Sequence, residues 1–407
     1  MDIEVEYDGS KMNLSFPYQI TVDHYQPAKT DHPFTYGDYK DLFYRYEGGE
    51  YLRSNAPLFV VNDAHRNTPT ALILSWFNKI DSSILKRAKF LIATGTHEPP
   101  DVTQYKKIFG DLFEQIEGNI LIHDTYDLKS MKKIGQDQFG EDVFLNSLLF
   151  EHDKIIVINS VEPHYFAGYS GGRKSFFPGL TDFKTIERNH NLANSLKSQP
   201  TRLSGNPMAE HLENLTSLFD TSNIFSIQIV FDANKKIAGI TMGDLKKSFV
   251  DGIKVADKYY LQETTKKYDC IFSVLSPPLD KSLYQIQKGI ENVRTALNEN
   301  GSVILISACN DGIGSDKFYK LADEWDRENN CHKSGLVKFG SHKLSRVNAM
   351  SKEYFIGIFS KLEKSIVEHV FYKAVNNLGE FIEQNIKPAM RVAVVHDSGN
   401  VVLKYKH

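Results

Sequence analysis

The side chains most suited to chemistry lie in one segment of the chain, residues 158–190. This segment carries His164 and His190, the adjacent pair Arg173 and Lys174, and six glycines or prolines. Glycine lets the backbone approach a ligand closely, and lysine offers a cation or, when it is desolvated, a nucleophilic amine. The segment therefore indicates a ligand-binding loop, and the alternative is a surface loop in which the histidines occur by chance.

Two other loops of the predicted fold carry comparable side chains. The run DKIIVINS precedes the glycine-rich loop, and its short, β-branched sequence predicts a buried strand. The runs APLFVVN and AKFLIAT are of the same kind, and they are followed by Asp63 and Arg66 and by His97. Because the carboxyl ends of parallel strands face one crevice, we expect these side chains to converge with those of the glycine-rich loop. This convergence predicts an active site.

Each of these residues also has a structural interpretation. Asp63 could cap a helix with Arg66 as its ion-pair partner, and His97 could bond a backbone carbonyl. Arg173 could belong to a basic loop, and His190 alone decides nothing. Three further histidines do not belong to any group of catalytic or metal-binding residues in the sequence and are interpreted as structural or exposed: His65, His123 and His211.

The common nucleotide and metalloprotease motifs are absent from the sequence. The loop GGRKS lacks the spacing of a Walker A motif, and no predicted strand leads into GxGxxG. His97 and Glu98 do not form HExxH. A P-loop nucleotide site, a classical NAD site and a zincin site are therefore not supported.

The composition is that of an ordinary globular protein, with 407 residues of which 41% are hydrophobic and 24% charged. A formal net charge of -3 gives no electrostatic basis for binding nucleic acid or an anionic membrane. We expect neither a signal peptide, because the N-terminus is acidic, nor a span of the roughly 20 apolar residues that cross a bilayer. The scattered cysteines favour a reducing cytoplasm over a disulfide framework: Cys270, Cys309 and Cys331.

Strands alternate with helices along most of the chain, which predicts an α/β fold with mostly parallel sheets. The alternation is interrupted near residues 260–266, a polar junction that we interpret as a hinge. We therefore predict an N-terminal α/β domain over residues 1–262, a C-terminal α/β domain over residues 267–395, and an active-site cleft between the two lobes. Local patterns predict a β-hairpin around Asp8 and Gly9 and a helix near residues 126–134.

Six motifs, in this order and at this spacing, resemble those of the nickel-pincer lactate racemase family, whose members are 2-hydroxyacid racemases and epimerases. They are DxxRxTP (63–69), GTHxP (95–99), EPHYFAGYSGGRKSFFPG (162–179), TIxxNH (185–190), GNP (205–207) and YQxxK (284–288). A weaker match is DGIGSDKF (311–318). The resemblance implies two α/β domains, and it implies that the last strands, 396–407, return to the first domain.

The resemblance also implies a cofactor, a nickel ion held through sulfur, carbon and sulfur by a pyridinium-derived mononucleotide. By position, Lys174 matches the lysine that is joined to this cofactor through a thioamide, and His190 matches the remaining nickel ligand. Asp63 and Arg66 match residues that anchor the nucleotide portion. Enzymes that mature the cofactor are the implied partners.

The implied reaction is proton-coupled hydride transfer. His97 and His164 match the catalytic pair, which would exchange the hydroxyl proton on the two sides of the inverted carbon. The second lobe matches residues that face substrate and cofactor: Tyr284, Gln285 and Lys288. The alternatives are a redox reaction on the same cofactor without net inversion, a non-catalytic nickel-cofactor-binding protein, and a zinc hydrolase.

The sequence departs from lactate-acting members of the family in the second lobe. Those members carry an aromatic residue that covers the small substrate, and this chain has no clear counterpart around residues 342–350. The region offers His342, Arg346 and Asn348 instead. These residues predict a substrate more polar than lactate, such as a sugar acid or a dicarboxylate.

Overall fold

The computed structural model describes residues 1–17, 19–334 and 340–406. Residue 407, the last residue of the predicted terminal strands, therefore lies outside the described residues. Among the helices in these ranges, none is long and apolar enough to cross a membrane. The predicted α/β class is confirmed, because the chain forms two lobes that are each built on a six-stranded, mostly parallel sheet.

The strands, in chain order, are β1 (Asp2–Tyr7), β2 (Ser10–Ser15), β3 (Val22–Tyr25), β4 (Leu58–Asn62), β5 (Lys89–Ala93), β6 (Ile120–Ile122), β7 (Met131–Gln136), β8 (Asp142–Asn146), β9 (Ile155–Ser160), β10 (Pro163–His164), β11 (Gly168–Tyr169), β12 (Ile224–Phe231), β13 (Ile237–Gly243), β14 (Leu261–Thr264), β15 (Tyr268–Val274), β16 (Leu297–Ile306), β17 (Trp325–Asp326), β18 (Cys331–His332), β19 (Phe355–Phe359), β20 (Lys373–Ala374), β21 (Val392–Val395) and β22 (Val402–Tyr405).

The helices are α1 (Tyr36–Arg45), α2 (Thr70–Ile80), α3 (Ile84–Arg87), α4 (Val102–Phe109), α5 (Phe113–Ile116), α6 (Leu148–Glu151), α7 (Phe183–Asn191), α8 (Pro207–Thr216), α9 (Leu245–Tyr260), α10 (Gln287–Val293), α11 (Asp316–Leu321), α12 (Ser341–Glu353), α13 (Lys364–His369) and α14 (Leu378–Asn385). The helix predicted near residues 126–134 is wrong. Its middle is a 3-10 turn, Leu128–Ser130, and residues 131–134 belong to β7. β7 forms an antiparallel hairpin with β8, and this cross-strand pairing outweighs its local sequence preference.

The sheet of the first lobe has the order β13-β12-β9-β4-β5-β6. All neighbours are parallel except β12 and β13. From β4 the chain moves to β5 and β6 on one side, and it later continues to β9 and β12 on the other. The order therefore reverses between β4 and β9, which is where open α/β sheets bind ligands.

The central strands of this sheet are buried on both faces. In β4, Phe59 and Val61 enter one hydrophobic core, whereas Leu58 and Val60 enter another on the opposite face. This explains the continuous apolar runs in the sequence, since parallel strands covered by helices on both sides have no solvent-facing positions. The rigid sheet fixes where each strand ends, and so it fixes the side chains that follow.

The second sheet has the order β20-β19-β16-β15-β21-β3, and all its neighbours are parallel. The N-terminal strand β3 lies at its edge beside β21. The predicted hairpin is present as β1 and β2, with Tyr7 opposite Ser10, and it packs on the core of this lobe through residues such as Ile3 and Val5. Residues 1–25 are therefore part of the second lobe and not of the predicted 1–262 domain.

The end of the chain also differs from the prediction. β22 does not return to the first sheet, because it pairs with β14, and its residue Leu403 and the preceding Val401 are buried in the core of the second lobe. The polar junction near residues 260–266 is not a bare linker, since Leu261–Thr264 is the β14 strand of this pair. Burial of apolar side chains decides the position of β22, and its pairing then orders β14.

Candidate active site

The carboxyl ends of the two sheets face each other across a cleft of about 1000 Å³. The first lobe contributes the residues after β4 and β9, and the second lobe contributes those after β15 and β21. A smaller cavity of about 60 Å³ adjoins the cleft. The predicted convergence is observed around these two spaces. The cleft is lined by Asp63, Arg66, His164, Gln285 and Lys288, and the small cavity by Asp63, Arg66, His97 and Lys174.

His97 is held by the carboxylate that ends β4. Its Nδ1 lies 2.5 Å from Oδ2 of Asp63, and Oδ1 of the same carboxylate accepts the backbone N–H of His65 over 3.1 Å. Because a carboxylate only accepts, Nδ1 of His97 carries a proton, and the tautomer with this bond has its lone pair on Nε2. Asp63 is buried, whereas the side chain of His97 is 48% exposed. His97 is thus prepared to accept a proton from a ligand.

His164 has the opposite arrangement. Its Nδ1 accepts the backbone N–H groups of Phe166 and Ala167 over 3.2 and 3.1 Å. Burial, followed by the positive charges of Lys174 and Arg66, holds the pKa of His164 well below its ordinary value. The ring is therefore neutral at pH 7 and carries its proton on Nε2. His164 thus presents a hydrogen-bond donor at Nε2, where His97 presents an acceptor.

Lys174 lies in a 3-10 turn, Gly172–Ser175, directly after a tight glycine bend. At Gly172, where φ is +51°, an added Cβ would meet the Phe249 ring at 2.7 Å, so only glycine fits. Burial, followed by the positive charges of Arg66 and Arg173, holds the pKa of the Lys174 amine well below its ordinary value. An uncharged amine is the nucleophilic form of lysine.

His190 lies in the last turn of α7, a helix that Asp182 caps by accepting the backbone N–H of Thr185 over 3.0 Å. Its Nδ1 donates to the carbonyl of Ile186 over 2.8 Å. Burial and the charge of Lys174 lower the pKa of His190 to about 4. The ring is neutral at pH 7 with its lone pair on Nε2, which is the form that binds a metal ion.

The predicted substrate residues of the second lobe divide into two groups. Gln285 and Lys288 line the cleft, and Lys288 is near enough to His164 for its charge to lower the pKa of that ring. The Tyr284 ring instead packs against Phe318, with centroids 5.6 Å apart, and does not line the cleft. Two of the three side chains are therefore placed to meet a ligand.

Arg346, which was predicted to make the substrate lid more polar, has a structural role. It is fully buried, and its Nε and Nη2 donate to the two carboxylate oxygens of Glu291 over 2.6 and 2.5 Å. Its Nη1 donates across the lobes to the carbonyls of Ala193 and Ser195. With all these partners the guanidinium has no part in the cleft.

Asn348 is also committed elsewhere, because its amide bonds the backbone of Arg327 and the side chain of Asn330. His342 alone of the three predicted lid residues lies at the site. Its ring is 6.1 Å from that of His190 and 5.2 Å from that of Phe166, measured between centroids.

Two residues near the site were missed by sequence reasoning. The ring of His65 lies 4.4 Å from that of His97, and its position two residues after Asp63 was the available signal. Lys343 is 4% exposed, donates to the Tyr284 carbonyl over 2.8 Å, and has its Nζ 5.3 Å from the Tyr165 ring centroid. Burial lowers the pKa of Lys343 to about 7, and no pattern in α12 indicates this burial.

This chain matches two family models and two known proteins, and all four are of lactate racemases. The model of the lactate racemase N-terminal domain matches residues 52–201, and that of the lactate racemase C-terminal domain matches residues 265–398. The lactate racemase of Lactiplantibacillus plantarum is 33% identical over 245 residues, which are 58% of this chain and 56% of that protein. The lactate racemase of Thermoanaerobacterium thermosaccharolyticum is 26% identical over 373 residues, 86% of this chain and 84% of that protein.

Two solved structures have the same fold. The apoprotein of lactate racemase from Thermoanaerobacterium thermosaccharolyticum superposes with a TM-score of 0.85 and 22% identity, covering 99% of this chain and 100% of that one. A protein from Thermotoga maritima superposes with a TM-score of 0.70 and 14% identity, covering 93% and 100%.

Proposed function

Because this chain belongs to the lactate racemase family, we propose that it is an isomerase that inverts the C2 centre of a 2-hydroxyacid. The observation that carries the proposal is the pair of histidines with opposite ring orientations: with Nδ1–H of His97 bonded to Asp63, its Nε2 can accept, and with Nδ1 of His164 accepting from the backbone, its Nε2–H donates a hydrogen bond. Inversion of a carbinol carbon by hydride transfer needs such groups, because one must take and return the hydroxyl proton and the other must stabilise the oxygen by a hydrogen bond.

Lys174 and Arg66, which line the small cavity, and His190, which lies near enough to feel the charge of Lys174, fit the nickel-pincer mononucleotide. Burial lowers the pKa of the Lys174 amine and so favours the uncharged form that covalent attachment needs, and His190 has a neutral ring that suits a nickel ion. Arg66 lines both the cavity and the cleft and would pair with the phosphate. When bound, this group would supply an electrophilic carbon that takes hydride from C2 and returns it.

Asp63 takes a different role from the predicted nucleotide anchor. Both of its carboxylate oxygens are engaged, one by His97 and the other by the backbone of His65. We therefore propose that Asp63 positions His97 and stabilises the imidazolium that forms when His97 accepts a proton. Nucleotide anchoring then rests on Arg66.

The chain's own residues can perform each proton step. Nε2 of His97 would take the hydroxyl proton as C2 is oxidised, which would leave a 2-oxoacid in the cleft. When C2 is reduced again from the opposite face, the His97 imidazolium would return the proton to the oxygen, while the Nε2–H of His164 donates a hydrogen bond to that oxygen. Lys288 and Gln285, on the other wall of the cleft, would hold the carboxylate through an ion pair and a hydrogen bond. The lobes would thus fix C2 between the two rings.

We further propose a substrate more polar than lactate, a sugar acid or a dicarboxylate. Both tryptophans of the chain, Trp76 and Trp325, are buried in hydrophobic cores and cannot cover a substrate. In their place α12 brings the polar side chains His342 and Lys343 to the side of the site near His190 and Tyr165. Turnover of lactate far above that of any dicarboxylic or polyhydroxy acid would contradict this choice.

The test is turnover by protein co-expressed with cofactor-maturation enzymes, which are the proposed partners, followed by chiral chromatography. Intact-mass spectrometry should show a mononucleotide-sized adduct on Lys174, and metal analysis about one nickel per chain. His97→Ala and His164→Ala should abolish turnover while nickel stays bound, whereas His190→Ala should lose nickel. Loss of nickel in the first two variants would make those histidines ligands and contradict the proposal.

Two alternatives give different results in the same experiment. A redox enzyme on this cofactor would release a 2-oxoacid without forming the opposite enantiomer. A non-catalytic cofactor-binding protein would retain nickel and the adduct but turn over no acid.

We also propose a reducing, cytoplasmic location, since all three cysteines are free thiols.

A further inference from the structure

Asp63, His65 and His97 form a cluster that the proposed reaction does not fully use. One ligand atom from each side chain lies within 4.8 Å of the other two. The three belong to two neighbouring loops, the turn after β4 and the bend after β5. In the turn after β4, Oδ1 of Asp63 accepts the backbone N–H of His65 over 3.1 Å. This bond brings the His65 ring back toward the Asp63 carboxylate.

The donor set suits a divalent transition metal. Two imidazoles and one carboxylate are the ligands that zinc, cobalt(II), nickel(II) and iron(II) accept in open sites, with water completing the shell. His65 is exposed and the side chain of His97 is 48% exposed, so a hydrated ion can reach both rings. The positive charges of Arg66 and Lys107 are near enough to His65 to lower the pKa of its ring, and they would also repel a bound cation. We therefore expect the cluster to bind a metal ion moderately and not tightly.

We infer that Asp63, His65 and His97 form a second, inhibitory site for a divalent transition metal ion, distinct from the nickel position at His190. The metal-binding part stands on the cluster alone, and the inhibitory part rests on the proposed racemase function. An ion in this cluster would bind the base of that reaction, not a substrate or a cofactor.

Inhibition follows from the position of one proton. In the metal-free cluster the proton of neutral His97 is on Nδ1, bonded to Asp63, and the lone pair is on Nε2. An ion seated beside the carboxylate binds Nδ1, so the proton moves to Nε2 and none is lost from the ring. His97 can then no longer accept the hydroxyl proton of the substrate. The metal would therefore inhibit the reaction by displacing the Nδ1 proton of the base to Nε2.

The experiment titrates the full chain, made without maturation enzymes, with Co²⁺ and follows the visible absorption bands of protein-bound cobalt. We expect His65→Ala to weaken binding by at least about tenfold, because loss of even an indirect partner of a metal ligand costs that much. The matched control is His32→Ala, which removes an exposed histidine outside the cluster. It should bind Co²⁺ as the wild type does.

A second arm measures Zn²⁺ inhibition of the cofactor-loaded enzyme, with each variant compared with its own uninhibited rate. The zinc concentration for half inhibition should rise about tenfold or more in His65→Ala and stay constant in His32→Ala. Equal Co²⁺ affinity in wild type and His65→Ala would overturn the site, and equal zinc sensitivity would overturn its inhibitory role. If no tested acid is racemised, the cobalt arm still decides the metal site, and only the proposed function fails.

Discussion

Asp63→Asn tests how His97 is prepared to act as a base. In the wild type the carboxylate accepts the Nδ1 proton over 2.5 Å and leaves the lone pair on Nε2. Asparagine has nearly the same shape, but its side chain ends in both a carbonyl oxygen and an NH₂ group. When the NH₂ group faces the ring it donates to Nδ1, and the ring proton moves to Nε2, the atom that must be free to accept.

Two losses set the size of the expected effect. A hydrogen bond to a charged group contributes about 1.5–3 kcal/mol and a neutral one about 0.5–1.5 kcal/mol, so the imidazolium loses on the order of 1–1.5 kcal/mol. About 1.4 kcal/mol is a factor of ten in rate. The wrong tautomer adds a second factor, although exposure of the His97 side chain lets water replace part of the interaction. We expect kcat to fall about 10–100-fold with little change in KM.

The assay is chiral chromatography starting from each enantiomer, with variants compared at equal nickel content. Nitrogen-15 NMR of the histidine rings reports the tautomer directly, and wild-type His97 should be unprotonated at Nε2. Asp63→Glu is the matched control, because it keeps the carboxylate and should retain more activity than Asp63→Asn. A kcat within about twofold of the wild type in Asp63→Asn, or an unchanged His97 tautomer, would refute the reasoning.

Three further predictions concern the residues that hold the site in place. Glu291→Gln should lower the free energy of unfolding by about 3–5 kcal/mol, measured by urea denaturation, because it leaves Arg346 buried without its counter-charge; a change below about 1 kcal/mol would contradict this. Gly172→Ala should prevent formation of the Lys174 adduct, seen by intact mass, since its Cβ would meet the Phe249 ring at 2.7 Å. In the folded protein the pKa of Lys343 is about 7, below its value in the unfolded chain. The free energy of unfolding of the wild type should therefore rise between pH 7 and about 10. Lys343→Met should flatten that rise, and a parallel pH dependence in both proteins would contradict it.

The strand ends could be predicted from the sequence because the information is local. The β-branched runs that end before Asp63, His97 and His164 are buried on both faces, and buried parallel strands need continuous apolar sequence. Once these runs are parallel neighbours, their following residues must share one edge of the sheet. The sheet rule therefore places the side chains of the site near one another, although they are far apart in sequence.

Contacts between distant segments were not predictable in this way. The packing of His65 against His97 depends on how two loops turn, and the burial of Lys343 depends on Tyr165 and Tyr284 in different lobes. Neither leaves a periodic pattern. Asp63 illustrates the same limit, since its spacing from Arg66 resembles a nucleotide-binding motif while its carboxylate is bonded to His97.

The domain boundaries show why pairing outweighs chain order. The second sheet takes β3 from the start of the chain and β21 from near its end, so the first lobe is an insertion between β3 and β15. Its two connections run side by side, because the N–H of Ala28 donates to the carbonyl of Tyr259. A pair of adjacent connections fixes the lobes only at one place.

A second attachment is therefore needed to fix the width of the cleft, and Arg346 provides one. Its Nη1 holds the carbonyls of Ala193 and Ser195, in the segment that directly follows the helix of His190. The same guanidinium is bound by Glu291 in the second lobe. A buried, fully paired cation has few alternative positions, because separating it from its partners exposes an uncompensated charge. The distance between the histidines of the first lobe and Lys288 of the second thus depends on a residue that touches neither.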